Sequence, residues 1–409
     1  MNVVNVNQDM KNKLWFFPSL FLCFTLLACD RTNGRFEDDT VLDSTMNFTQ
    51  YNLFAGTQTI GYKYGFTEDQ GLVETAKRIH EMGSNIMKFA LTGGEQNPGL
   101  SSRGATLTEW VRDVSEIKEV LEMDFKYYFL WAYGPSWFVG GMTELEKDRE
   151  YNAIYDLTVH LLTEYNFSGK EFFLGNWEGD WHLYSDYNLD VPPTQATITG
   201  MRDWFKIRQK AVDDAKANTE YSNVEVFHYA ELNQAIIGMN GKPSISHSIL
   251  PQIDVDYVSY SCYDLIYPNF RDTAALRTEL HEVLNYIENQ LTPREGIPGK
   301  RVFIGEYGFA LKYCEGEQEQ KILSTAFLHS AISWGCPFVL YWAFYCNEKQ
   351  ADGSYNGFWM IDDNDVKQPV YFKHRDYYYD LKLEIQNYVK QHGSEPDEET
   401  IRKFALTLL

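Results

Sequence analysis

Basic residues are scarce. Lys and Arg number 36 against 58 Asp and Glu in 409 residues, a formal net charge of −22, and no long basic run follows the N-terminus. Such a field repels polyanions, so nucleic acid and other anionic polymers are poor partners and a neutral ligand is favoured. Nucleotide, cofactor and metal signatures are missing too. No G-x-G-x-x-G follows the first strand-like run, and no P-loop, H-E-x-x-H or G-x-S-x-G occurs. The acidic stretch "DDND" at 362–365 lacks the glycine and the twelfth-position Glu of a calcium loop. Neither a cofactor nor a metal is therefore expected. Of the six cysteines, Cys23 and Cys29 lie near the N-terminus, and Cys262, Cys314, Cys336 and Cys346 match no zinc-ligand spacing. Those four are expected as free, partly buried thiols, although Cys314 and Cys346 could pair if their loops are neighbours. There is no low-complexity segment, no short-period repeat and no sign of a second domain.

The longest apolar run is "LWFFPSLFLCFTLLA", residues 14–28, preceded by Lys11 and Lys13 and followed by Cys29 and the polar "DRTNGRFEDDT". A membrane-spanning helix needs about 20 apolar residues. This shorter run, with Pro18 inside it, has the layout of a secretory leader. The junction Leu26-Leu27-Ala28-Cys29 resembles a bacterial lipobox. That resemblance implies removal of residues 1–28, lipidation of Cys29 and a polar tether over 29–49. The expected location is that of an exported bacterial lipoprotein, on the outer membrane, the cell surface or the periplasmic face.

What is plentiful is aromatic: 28 Tyr, 26 Phe and 10 Trp. From about residue 50 onward, apolar runs of strand length alternate with amphipathic stretches of helical length. The runs fall at 51–56, 85–91, 126–133, 171–175, 224–229, 256–263, 301–308 and 337–344, with Pro or Gly at the joints. Strands buried on both faces and alternating with helices point to a parallel sheet. Eight such units point to closure into a (β/α)8 barrel over residues 50–409, an open doubly wound sheet being the alternative. The tail "GSEPDEETIRKFALTLL" adds a helix, with Ser394 as its cap and Ile401, Phe404, Ala405 and Leu408 on one face.

In a barrel the polar residues at the strand C-termini face the active-site mouth. Glu306, in "VFIGEYG", is driven off an apolar strand into a Gly-flanked turn, where a charge is costly unless paired or in a cavity. Glu178, in "FFLGNWEGDWHLY", ends the fourth strand in the same way. Two carboxylates entering one mouth suit glycosidic bond cleavage: one protonates the leaving oxygen, and the other attacks the anomeric carbon or activates water.

These residues resemble the clan A glycoside hydrolases, retaining (β/α)8 enzymes that include cellulases and mannanases. "GSNIMKFAL" resembles their second-strand segment, with Lys88 where an arginine is usual. "FIGEYG" resembles the nucleophile motif, "SYSCYD" offers Tyr260 as the tyrosine that hydrogen-bonds the nucleophile, and "LYWAF" offers Trp342 as a sugar platform. The resemblance implies Glu306 as nucleophile, Glu178 as acid/base, Asn176 on a sugar hydroxyl, and a monomeric hydrolase of a neutral poly- or oligosaccharide. In the clan the Asn and Glu are adjacent, whereas here Trp177 separates them. An extra residue turns the acid to the other face unless a bulge or the turn absorbs it, which leaves Asp180 and Glu231 as substitutes. Trp131, Trp177 and Trp181 are candidate stacking surfaces and His228 a candidate hydroxyl ligand. A glycan-binding protein on a barrel that has lost catalysis is the alternative.

Overall fold

The computed structural model describes residues 41–184 and 187–409. The expected leader, Cys29 and the tether up to residue 40 lie outside the described residues.

Eight parallel strands close into a barrel in chain order. They are β1 (Ala55–Gln58), β2 (Ile86–Ala90), β3 (Tyr127–Trp131), β4 (Glu171–Gly175), β5 (Glu225–Leu232), β6 (Tyr257–Ser261), β7 (Val302–Tyr307) and β8 (Val339–Tyr341). Closure is through Ala55, Gly56 and Thr57 of β1, which pair with Val339, Leu340 and Tyr341 of β8. The helices wrap outside: α1 (Gly71–Met82), α2 (Leu107–Asp113), α3 (Ser115–Glu122), α4 (Glu144–Glu164), α5 (Gly179–Leu183), α6 (Gln195–Asn218), α7 (Ala235–Met239), α8 (Tyr263–Asn269), α9 (Thr273–Glu288), α10 (Glu317–Trp334), α11 (Pro369–His392) and α12 (Glu398–Leu408). The alternating strand and helix runs of the sequence thus form a (β/α)8 barrel, not an open sheet.

Local chemistry explains where the elements depart from expectation. β1 begins at Ala55 rather than Tyr51 because Phe54 has φ +60° and Ala55 N–H turns back to Leu53 O at 2.7 Å. The amphipathic stretch over 107–122 forms two helices rather than one, since Val114 is extended at φ −88°, ψ 109°. α12 is capped by Asp397, which accepts from Thr400 N–H, and not by Ser394. Ile401 and Ala405 are buried there, with Phe404 and Leu408 packed alongside. Cys262, Cys336 and Cys346 are buried free thiols and Cys314 a half-buried one.

Inside the barrel, side chains stack in layers. The lower layer is an aromatic plug of Tyr127, Phe129, Phe173, Tyr229, Phe303 and Phe338, with Phe129 and Phe173 stacked at 4.5 Å between centroids. Above it lie charged and polar groups from β2, β5, β6 and β7, and at the top a rim of Trp131, Trp342 and Trp177. Two glycines make room in this interior. A Cβ on Gly175 would stand 2.2 Å from the Tyr229 ring, and one on Gly305 would stand 1.8 Å from Ser259 Oγ and 2.9 Å from Glu231 Oε2.

Candidate active site

Three carboxylates and one ammonium meet in the polar layer. Lys88 from β2 donates to Glu231 Oε2 at 2.9 Å, to Glu306 Oε1 at 3.2 Å and to Gly305 O at 3.2 Å, and lies 5.1 Å from the Trp131 ring centroid. Its charge is buried, and burial pulls its pKa down, but the two carboxylates outweigh that and hold it raised. Glu306 points inward because β7 is bulged: Tyr260 pairs with Ile304, yet Ser261 pairs with Glu306, so Gly305 is the extra residue. Simple alternation from Phe303 would have turned Glu306 toward the helices. Burial pushes the Glu306 pKa well up; Lys88 opposes the rise, and Glu231 and Glu178 add to it.

The stretch after β4 absorbs its additional residue in the turn. Asn176 continues the ladder toward β5: its Oδ1 accepts Glu231 N–H at 3.0 Å and its Nδ2 donates to Glu231 O at 3.1 Å. Trp177 then swings into the mouth, its N–H held by Tyr133 Oη at 2.7 Å. Glu178 turns the chain with φ +22°, ψ 64° and becomes the cap residue of α5. Its N–H donates to Glu231 Oε1 at 3.0 Å, and its own Oε1 accepts from Ser261 Oγ at 2.5 Å. Burial raises the Glu178 pKa to about 7, with Glu231 adding to the rise and the hydrogen bonds from Ser261 and Trp181 opposing it.

The two substitutes weighed for the acid are both occupied. Asp180 accepts N–H groups of Asn233, Gln234 and Ile245, fixing the loops around α7. Glu231, expected in a loop after strand five, lies inside the barrel because β5 runs on to Leu232. Both its oxygens are taken, by Glu178 N–H on one side and by Lys88 and Ser259 Oγ, at 2.7 Å, on the other.

Trp131, Trp177 and Trp342 do come together, walling a pocket of about 590 Å3 with Tyr133, His182 and the polar Thr92, Gln96, Asn347 and Glu348. Glu348 also borders an adjoining groove of about 570 Å3 that includes Tyr263, Tyr267, Tyr313 and Phe358. Four expected ligands lie elsewhere. Tyr260 faces the helices and donates to Asp264 Oδ1 at 2.6 Å, because Ser259 and Ser261 take the inward positions of β6. His228 is likewise outward on β5, accepting from Arg208 Nε at 3.2 Å beneath α6. Asn176 spends its amide on the Glu231 backbone, and Trp181 packs on Tyr187 and supports Glu178. The residues that sequence reading missed, Ser259 and Ser261, were legible in the period of two that "SYSCYD" shares with other strands. Tyr263 was not: it arrives on α8, half-buried near Glu306 and Glu178, its buried hydroxyl without a hydrogen-bond partner among the described residues. Among those residues no group of three or more His, Cys, Asp or Glu is disposed to hold a metal ion, and no helix is long and apolar enough to cross a membrane.

No protein-family profile matches the sequence, and no curated protein matches it. Solved structures do resemble the fold. An exo-β-1,4-mannosidase from Opitutaceae bacterium strain TAV5 superposes with a TM-score of 0.54 at 12% identity, over 83% of this chain and 62% of its own. A family 39 glycoside hydrolase from the gut symbiont Bacteroides cellulosilyticus WH2 gives 0.51 at 13%, over 82% and 65%. A broad-specificity endoglucanase from Clostridium longisporum gives 0.51 at 13%, over 81% and 96%. The chain thus spans less than two thirds of the first two. The likeness is one of fold: the closed eight-stranded barrel of this chain is the barrel on which these glycoside hydrolases are built.

Proposed function

We propose that the protein is a retaining O-glycosidase acting on a neutral poly- or oligosaccharide, with Glu306 as nucleophile and Glu178 as acid/base. The observation that carries the reading is the convergence of two buried carboxyls, one just after β4 and one on β7, on one polar layer of the barrel, in unlike surroundings. Glu306 has an ammonium at 3.2 Å, whereas Glu178 has none within hydrogen-bond range among the described residues and a pKa of about 7. The ammonium favours the charged form of Glu306 against the burial that raises it, whereas burial without a bonded counter-charge favours a proton on Glu178, a division that suits a nucleophile and a proton donor.

In the first step a Glu306 oxygen attacks the anomeric carbon while the C–O bond to the leaving sugar breaks and Glu178 gives its proton to that oxygen. In the second, Glu178 takes a proton from water, and the hydroxide so formed displaces Glu306 to release the sugar. Lys88 opposes the burial that raises Glu306 and so favours its charged form, for attack and again for departure. Trp131, Trp177 and Trp342 supply the faces against which sugar rings stack. The solved structures that share the fold are glycoside hydrolases, which supports the reading at the level of reaction class.

Export and anchoring through a lipidated Cys29, with residues 1–28 removed, 29–49 as tether and 50–409 as a monomeric catalytic barrel, complete the proposal. They rest on the sequence of the leader. The test is a screen against plant, fungal and host polysaccharides and aryl glycosides. Glu306→Gln should abolish turnover of any substrate found while leaving glycan binding and the unfolding midpoint near those of the parent. Unaltered turnover would sink the assignment. Glycan binding with no released sugar by the parent chain would favour a binding protein instead.

A further inference from the structure

Glu231 has no part in the two chemical steps, yet it is fully buried at their centre, and a buried carboxylate is retained at a cost unless it is paired and hydrogen-bonded. Its bonding is directional. Oε1 accepts the N–H of Glu178, the residue that turns at φ +22°; Oε2 accepts Lys88 Nζ, which reaches on to Glu306, and Ser259 Oγ. The carboxylate thus touches the backbone of one reacting residue and, through one ammonium, the side chain of the other. Asn176 secures the same residue from behind through the Glu231 N–H and C=O.

We infer that Glu231 is a positioning residue, a fixed anion that aims Glu178 through its backbone and clamps Lys88 onto Glu306. The inference rests on the glycosidase reading for its purpose, but its physical content is independent of turnover. The left-handed turn at Glu178 is a conformation that a non-glycine residue adopts only when held, and the N–H bond to Glu231 is a hold placed on that same residue. Placing two reacting groups from different strands to within fractions of an ångström is worth about 100-fold in rate.

A fixed negative charge also acts on the titration of its neighbours. The groups that face Glu231 are Lys88 from β2, Glu178 after β4, Glu306 from β7, and the phenols of Tyr133 after β3 and Tyr229 on β5. Burial raises both phenols, so they stay neutral through the working range. Glu231 raises both Glu178 and Glu306, so removing its charge lowers both.

The experiment compares parent, Glu231→Gln and Lys88→Met/Glu231→Gln full-length chains, labelled with 13C at the Glu carboxyls and titrated by NMR, with Glu178→Gln to assign the resonance. In Glu231→Gln the Glu178 resonance should titrate about one unit or more below the parent. On any substrate the parent turns over, the alkaline limb of kcat/KM should move the same way, with kcat down about 100-fold and KM within about threefold. The double variant removes both members of the buried pair, so it folds where the single variant leaves Lys88 with fewer partners. It should lose at least as much kcat, since Glu306 also loses its ammonium. Loss of Lys88 raises Glu178 and opposes the shift in the double variant, so the deciding titration is that of Glu231→Gln: an unshifted Glu178 there, with only a lower unfolding midpoint, would overturn the inference. Because the titration needs no turnover, that failure is distinguishable from failure of the glycosidase reading, which would show as an inactive parent.

Discussion

Lys88→Met offers the most quantitative check on how the polar layer is held together. The side chain is 1% exposed and its ammonium touches Glu231 at 2.9 Å and Glu306 at 3.2 Å. At an effective dielectric constant of about 20, each contact is worth about 5 kcal/mol of attraction before desolvation is subtracted. Methionine fills the space but supplies no charge, so at neutral pH one carboxyl in the layer must take up a proton. Protonating a carboxyl of ordinary pKa at pH 7 costs about 3–4 kcal/mol, which caps the penalty at a value within the range seen on breaking buried pairs.

The sign follows from proton counting. The folded variant binds a proton that the unfolded chain, with its carboxyls ionised, does not. Its stability deficit therefore grows with rising pH by about 1.4 kcal/mol per unit above the unfolded pKa and closes as pH falls toward about 4. Urea unfolding of parent and variant, followed by tryptophan fluorescence between pH 4.5 and 7.5, measures this directly. A deficit that is the same at both ends of the range, or below about 1 kcal/mol at pH 7.5, would refute the view that Lys88 neutralises the carboxylates.

Three further outcomes are expected. Ser261→Ala removes a donor from the charged form of Glu178, so the Glu178 pKa should rise from about 7 and the alkaline limb of the pH–rate profile should move up by about one unit; a stationary limb would contradict the assignment. Gly305→Ala drives a Cβ to 1.8 Å from Ser259 Oγ, so it should yield little soluble protein, and Ser259→Gly in the same chain should restore folding. Trp177→Ala should raise KM about tenfold with kcat nearly unchanged, as loss of a stacking face does; a fall in kcat at constant KM would instead mark Trp177 as a support for Glu178.

The barrel was legible because it depends on pattern. Eight apolar runs spaced by amphipathic stretches leave few ways to bury both faces of every strand, and the run from 126 to 133 or the helix over 144–164 needed no tertiary information. The site was legible only in part, since alternation along a strand decides which residues look inward, and single-residue irregularities reset it. At β7 the bulge at Gly305 brings Glu306 inside. At β6 regular alternation sends Tyr260 outward and leaves two serines on the inner face. At β4 the positive φ of Glu178 absorbs the residue that separates it from Asn176, at the expense of the role expected for Asn176. The polar rim of the pocket, Thr92, Gln96, Asn347 and Glu348, comes from loops whose path no local pattern encodes.

The central claim is that Glu306 forms a covalent bond to the sugar. It is tested most directly by incubating the full-length chain with a 2-deoxy-2-fluoroglycoside of the preferred sugar, bearing a good leaving group, and sequencing the modified peptide by mass spectrometry. A stoichiometric glycosyl adduct on Glu306, absent from Glu306→Gln, is the predicted result. An adduct on Glu231 or Glu178, or steady hydrolysis with inverted anomeric configuration and no adduct, would contradict it.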